Sequence, residues 1–394
     1  VTEHHGLDRP TRPAGGLTVL LAATFLSFID YAALLPVVPL WAAGGGAFGV
    51  AVGATTGAMM AATVATQLAM PWLLRVLSLR AMFVAGAVLL GVATPLYLAS
   101  DALAPVLAIT VVRGIGFAFV VISGATLVAH LAPPGRLASA SSLYGVAAAL
   151  PNLAALAGGV WAVETWGFDA VFWVAAATSL VGAVVALGLP AGVRSSFTLV
   201  AGGDLGRIAV TIVLFVLSSA AFGAVTTFVP LAGPSAGLAA ATLLAASIAL
   251  VCGRLGAGVL GDRLGSGRVL LVAVVVAAAG LALMAVSLTS RAPVLLAGAA
   301  LLGLGFGAAQ NDSFVDTIDG LGREHTGTAS TIWNVAYDGG FGIGAIALGG
   351  VVGRYGYDQA FLGLAVVMAA LAALAACAGG GGRRTRDPSP SPGR

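Results

Sequence analysis

Three ionisable residues lie deep inside apolar runs: Asp30 within Leu17–Trp41, Arg113 within 104–131 and Asp338 within 326–352. A charged side chain at the centre of a membrane-spanning helix costs about 2.5–3.5 kcal/mol on insertion scales, so such residues mark function by default. A carboxyl whose solvent access changes between two states can load a proton on one side of a membrane and release it on the other. A nearby guanidinium would hold that carboxylate charged after release. At about 1.5 Å rise per residue, Asp30 sits roughly 20 Å from the start of its helix. Arg113, on a helix running the other way, comes out roughly 16 Å from the same face of a core about 30 Å thick. The two can therefore pair, either as a proton-coupling site or as a structural ion pair locking two helices.

Asp338 has company of another kind. Asn334 and Asp338 are four apart and share a helix face, Phe341 follows, and Trp333 with Tyr337 forms an adjacent stripe. Polar groups beside aromatics in a mostly apolar cavity suit a medium-sized, partly apolar ligand, and a carboxylate there would favour cationic cargo. The competing reading has Asp338 bonding a neighbouring helix while the aromatics merely pack. Phe25, Phe28 and Tyr31 read as core or lipid packing. Gln310, Asn311, Asp312 and Asp316 read first as a solvated helix end, with lining of the inner mouth as the alternative, and Arg254 as a snorkelling side chain or a companion of the charges at 262–263.

Other chemistries are poorly supplied. The four His (His4, His5, His130, His325) have no metal-ligand spacing, and Cys252 and Cys377 each lie in an apolar run, so neither a metal site nor a disulfide framework is expected. There is no Lys, hence no G-x-x-x-x-G-K-[ST] phosphate loop and no ATP-driven step by this chain alone. No hydrolase triad or cofactor motif stands out, and the reading is not an enzyme.

The elements that must position these residues are membrane spans. The 394 residues are 59% hydrophobic and 8% charged, against about 25% charged in a soluble domain. Twelve apolar runs are expected, at Leu17–Trp41, 50–74, 81–99, 104–131, 137–162, 170–189, 208–231, 238–260, 269–288, 293–315, 326–352 and 359–378. The fold class is therefore an all-α polytopic membrane protein. The first run is too long for a signal peptide and carries Asp30 in its middle. Arginines crowd one side, among them Arg75, Arg80, Arg136, Arg194, Arg207, Arg263, Arg268 and Arg323, while the other has only Arg291 and Arg354. The positive-inside rule then makes both termini cytoplasmic. The scattered basic residues give no nucleic-acid patch.

The chain also repeats itself. Gly114-Ile-Gly-Phe117 recurs as Gly303-Leu-Gly-Phe306, Trp166-Gly-Phe-Asp169 as Tyr355-Gly-Tyr-Asp358, and Ala140-Ser141 as Ala329-Ser330, all at one offset of 189 residues. Two pseudo-repeated six-helix bundles follow, 17–190 and 208–378, with a cytoplasmic tail at 1–16, a linker at 191–207 and a disordered tail at 379–394.

Residues 253–268 carry the most specific signal. Gly258, Leu260, Asp262, Arg263, Gly265 and Arg268 follow the order G-x-L-x-D-R-x-G-x-x-R at a helix–helix connection, where glycines permit a tight turn. This stretch resembles the signature loop of the major facilitator superfamily in its second half. Arg113 with Gly114 and Gly116 resembles the family's fourth-helix motif, and Pro36-Val-Val-Pro39-Leu-Trp41 the end of helix one in its drug:proton antiporter branch. The resemblance implies two bundles rocking about a central cavity, with Gly258, Asp262, Arg263, Gly265 and Arg268 as a conformational gate. Departures exist: Leu74 and Leu77 replace the Asp and Gly of the first-half loop, and Leu150-Pro151-Asn152-Leu153-Ala154-Ala155 keeps the proline but not the glycines of the exporters' helix five.

The expectation is a secondary active transporter, proton-coupled, exporting drug-like or natural-product small molecules. The alternatives are a proton-coupled uptake symporter for a polar metabolite and, from another class, a membrane receptor or enzyme. The partners expected are a small-molecule substrate, protons and the lipid bilayer, with no cofactor beyond the proton gradient. The chain is expected to be a monomer in a bacterial cell membrane.

Overall fold

The computed structural model describes residues 15–381 apart from 134, 195–204, 234, 265–266, 289–290 and 323–324. Residues 1–14 and 382–394 of the expected tails and 195–204 of the expected linker lie outside the described residues, while residues 379–381, expected to be disordered, continue the last helix. Apolar Leu, Val and Ala runs satisfy their backbone only by helix in a bilayer, and the described residues are almost entirely helical. In chain order they are α1 Gly16–Gly44, α2 Val50–Val76, α3 Leu79–Ala93 continued by a 3-10 turn Thr94–Ala99, α4 Leu103–Leu131 and α5 Leu137–Ala186. There follow α6 Leu205–Ala232, α7 Ala236–Leu264, α8 Arg268–Ala285, α9 Ala292–Leu321, α10 Thr326–Tyr355 and α11 Tyr357–Gly381.

The expected spans 137–162 and 170–189 are one continuous element, α5, broken only at Gly167 (φ 82°, ψ 169°). Its counterpart 189 residues later, Gly356 (φ 85°, ψ 171°), separates α10 from α11 with the same dihedrals. Positive φ at both positions is open to glycine and strained for other residues. The sequence repeat is thus a repeat of backbone geometry, and counting the two arms of α5 gives twelve spans. Ten described helices are long and apolar enough to cross a membrane; α8 is the shorter one.

A second repeated device holds each bundle together. Gly114 of α4 meets the backbone of α2 at Met59, and Gly116 meets α3 at Gly86. Their counterparts on α9 do the same, Gly303 against Ala246 of α7 and Gly305 against Ala273 of α8. A methyl group at any of these positions would overlap a neighbouring carbonyl. Small residues let membrane helices approach closely where water supplies no hydrophobic force between them.

Across the two bundles, α2 packs on α10, the first arm of α5 on α7, and α1 on α6. The α2–α10 seam is tightest far from the arginine-rich end. There a Cβ on Gly53 would collide with the Ala345 carbonyl, and one on Gly49 would stand 2.9 Å from the Gly349 oxygen. A Thr56–Thr227 hydroxyl bond of 2.9 Å ties α2 to α6 in the same region.

The helix preceding the connection at 265–267 is longer than the apolar run suggests. Asp262 and Arg263 lie in the last turn of α7, not in a loop, and Gly267 makes the turn at φ 79°. α6 likewise begins at Leu205, inside the expected linker.

Candidate functional site

Two cavities lie between the bundles. The central one, about 340 Å³, is walled by Phe28, Tyr31 and Phe117 on one side and by Phe222, Arg254, Gln310, Trp333, Tyr337 and Asp338 on the other. The second, about 360 Å³, lies between the arginine-rich ends of α2, α4 and α10, and includes Gln67, Met70, Thr126 and Ser330. Asn334 lines both.

Aromatic rings define the central walls. Tyr31 and Phe117 stack at 3.6 Å between centroids and 4° between planes, with Phe28 edge-on to Phe117 at 5.5 Å. Opposite them Phe222 stacks on Phe306 at 4.6 Å, and Trp333 on Phe215 at 4.9 Å. Tyr337 joins these groups, 5.8 Å from Trp333 and 5.9 Å from Phe306. Phe117 and Phe306 are the repeated phenylalanines of the two Gly-x-Gly-Phe segments; Phe117 lines the cavity itself, whereas Phe306 is fully buried behind Phe222. Such ring pairs add about 0.5–1.5 kcal/mol beyond the area they bury.

Of the residues expected in the cavity, the structure brings Trp333, Asn334, Tyr337 and Asp338 together there. Trp333 Nε1 donates to Ser313 Oγ at 3.0 Å and Asn334 Nδ2 to the Ser330 carbonyl at 2.8 Å, which fixes both side chains. Asp338 is 4% exposed, and its Oδ2 accepts from Gln67 Nε2 at 2.6 Å. That bond crosses from α10 to α2 at the junction of the two cavities.

Asp30 and Arg113 form an ion pair, Nη2 to Oδ2 at 2.9 Å, with side chains 0% and 1% exposed. Thr94 Oγ1 donates to the other carboxylate oxygen at 2.9 Å, and the guanidinium stands over the Tyr97 ring at 5.9 Å. Tyr97 in turn shares a 2.7 Å bond with Thr110. Neither Asp30 nor Arg113 lines the central cavity; Tyr31, next to Asp30, and Phe117, one helical turn from Arg113, do. A void of only about 10 Å³ reaches Arg113 beside Thr55, Thr56 and Thr110, and Arg113 Nε has no hydrogen-bond partner among the described residues. A buried pair of this kind is worth little as a stabiliser, but removing one partner costs about 3–5 kcal/mol because the other charge is stranded.

Of the gate residues, Gly258 is half-buried on α7 and Arg263 is exposed. Gly265 and the side chains of Asp262 and Arg268 lie outside the described residues. Beside this connection, Asp312 Oδ2 accepts the Leu270 backbone N–H at 2.8 Å, and Asp316 Oδ2 accepts from Thr211 Oγ1 at 2.5 Å.

Several residues were placed differently by sequence reasoning. Asp312 is not solvated: it is 1% exposed and caps the first turn of α8. Gln310 is 6% exposed and lines the central cavity. Arg254 also faces that cavity, without an ion-pair partner among the described residues. Phe28 and Tyr31 wall it too, whereas Phe25 is 38% exposed on the outside. A signal for part of this existed: Phe306, Gln310, Ser313 and Thr317 recur at helical spacing, and all four are buried.

Comparison with known proteins gives the same architecture. The model of the Major Facilitator Superfamily matches residues 20–345. No curated protein matches the chain. Among solved structures, the chain is similar to a POT family transporter in complex with a thioalcohol-conjugated peptide, at TM-score 0.80 and 10% identity over 94% of this chain and 97% of that one. It is similar to the nucleoside transporter NupG (0.71, 17%, over 92% and 99%). It is also similar to a bacterial homolog of the human lysosomal transporter Spinster, in an inward-facing and occupied conformation (0.74, 12%, over 92% and 96%). At these identities the likeness is one of fold.

Proposed function

The chain belongs to the Major Facilitator Superfamily, and from that premise we propose that it is a proton-coupled secondary transporter exporting drug-like or natural-product molecules. One observation carries the transport reading: a ligand-sized aromatic cavity lies between two bundles sealed at one end by the α2–α10 seam. Rocking the bundles about that cavity would expose it alternately to the two sides. With the arginine-rich end cytoplasmic, the state described faces inward. No cofactor enters this mechanism; the energy source is the proton gradient, and the working unit is a monomer in a bacterial cell membrane.

Proton coupling is assigned to Asp30. The carboxylate is held by Arg113 and Thr94 in this state, out of reach of the cavity. A state that parts Asp30 from Arg113 or opens it to solvent would change its proton affinity, and that difference between states is what coupling requires. Asp30→Asn keeps size and hydrogen bonding but removes titration. In proteoliposomes with an imposed pH gradient it should abolish uphill transport of a cargo found by drug-susceptibility profiling, while spontaneous exchange of that cargo persists. If the Asn variant still concentrates cargo, coupling lies elsewhere, with Asp338 next to be tested.

Proton-coupled uptake of a polar metabolite is the second reading. Arg254, Gln310 and Asn334 make the cavity more polar than an exporter of purely apolar cargo requires. The sign of net flux in the same proteoliposomes separates the two.

A further inference from the structure

Two charged residues, Asp338 and Arg254, line the central cavity, and they differ in what engages them. Asp338, the acid on the wall, is 4% exposed and already engaged by Gln67 at 2.6 Å. Arg254, on α7, is exposed, lines the same cavity and forms no ion pair among the described residues. Tyr337 of α10 and Gln310 of α9 line the cavity together with it. Gln310 is itself 6% exposed, and its Oε1 has no donor. One wall of an aromatic box therefore holds a guanidinium, a phenol and a carboxamide, the first without an ion pair and the last with an unused acceptor among the described residues.

We propose that this wall binds the anionic group of an aromatic cargo: a carboxylate on Arg254, its ring among Phe222, Trp333 and Tyr337, and an N–H or O–H offered to Gln310. The inference rests on the reading of the cavity as a cargo site and adds the class of cargo. A guanidinium prefers carboxylates because its planar fork matches two oxygens. A guanidinium that lines a cavity and has no carboxylate paired with it among the described residues gains from a ligand that supplies one. Asp338, at the cavity junction and spoken for, acts on the packing of α2 against α10 and not on cargo charge.

The test uses three probes sharing one ring and differing in charge: radiolabelled indole-3-acetate, indole-3-acetamide and tryptamine. Equilibrium binding is measured to the purified full-length protein in phosphatidylcholine nanodiscs, which contain no anionic lipid to compete for Arg254. The expected order is acetate, then amide, then amine, with acetate ahead of amide by roughly ten-fold, the scale of one charge-assisted contact. Arg254→Gln should remove that advantage and leave amide binding within two-fold, whereas Arg254→Lys should restore part of it. Gln310→Leu should weaken all three, because their shared ring N–H loses its acceptor. Equal binding of acetate and amide, preference for the amine, no binding by any probe, or an equal loss of all three in Arg254→Gln would each overturn the proposal. Flux of the same probes into proteoliposomes separates the failures: selective binding without flux sinks the transport reading alone, and flux without charge preference sinks this one alone.

Discussion

At the scale of single residues, the two acids of the membrane interior differ in what satisfies them. Asp30 has an arginine and a hydroxyl within one bundle; Asp338 has a single amide donor from the opposite bundle. Asp338 and Gln67 can therefore report on the relation between bundles, which the Asp30 pair cannot do directly. Deleting the donor leaves a buried carboxylate short of a hydrogen bond, a loss of about 1–3 kcal/mol in any state that needs it. Gln67→Leu is expected to lower the population of the state described here by roughly ten-fold. Asp338→Asn should have a smaller effect, since an amide oxygen can still accept from Gln67. Neither change should alter the preference between indole-3-acetate and tryptamine by more than about two-fold, as both leave Arg254 untouched. Inverted preference in Asp338→Asn would make Asp338 the reader of cargo charge.

At the scale of elements, glycine placement decides which helices touch and which can part. Gly114 and Gly303 lock helices within a bundle, whereas Gly53 lies on the α2–α10 seam between bundles. A side chain at Gly53 has no space while that seam is shut. Overpacking of about 1–3 kcal/mol is then charged to the shut state alone. Gly53→Val should open the seam, and Thr56, 3% exposed beside it, reports the change. In a background with Cys252 and Cys377 replaced by Ser, Thr56→Cys should react with an impermeant maleimide roughly ten-fold faster when Gly53→Val is present. Gly363→Val, at a position with open space around it, serves as control. Unchanged labelling would mean that the seam does not seal the site.

At the scale of the whole molecule, two bundles that move as units should show two distances, not a continuum. Leu143 on α5 and Leu255 on α7 are 52% and 69% exposed near the arginine-rich ends of facing helices from opposite bundles. Spin labels there should give two resolved populations whose ratio shifts with pH. Asp30→Asn should remove that pH response. Asp262→Asn should change the ratio at fixed pH if the end of α7 contributes to closing this side, whereas Leu74→Ala should leave it alone. A single unchanging distance in all these variants contradicts alternating access by rigid bundles.

The sequence by itself determined what depends on composition and local period. Long apolar runs must be helices in a bilayer, and the offset of 189 residues carries the two-bundle plan, because a glycine such as Gly167 or Gly356 demands its backbone geometry locally. The depth of Asp30 and Arg113 along their helices was also legible, since rise per residue is constant, and the 2.9 Å pair follows from it. What needed the tertiary structure was which way each polar face turns. Arg254, Gln310 and Asp312 sit at similar depths on α7 and α9, and sequence gave no reason to send the first two to the cavity and the third to the N-terminus of α8. Rotation of a membrane helix about its own axis is set by the glycines of its neighbours, many residues away in the chain. Which charged groups line the cavity is therefore a property of packing: Gln67 reaches Asp338 across the bundles, while no carboxylate among the described residues pairs with Arg254.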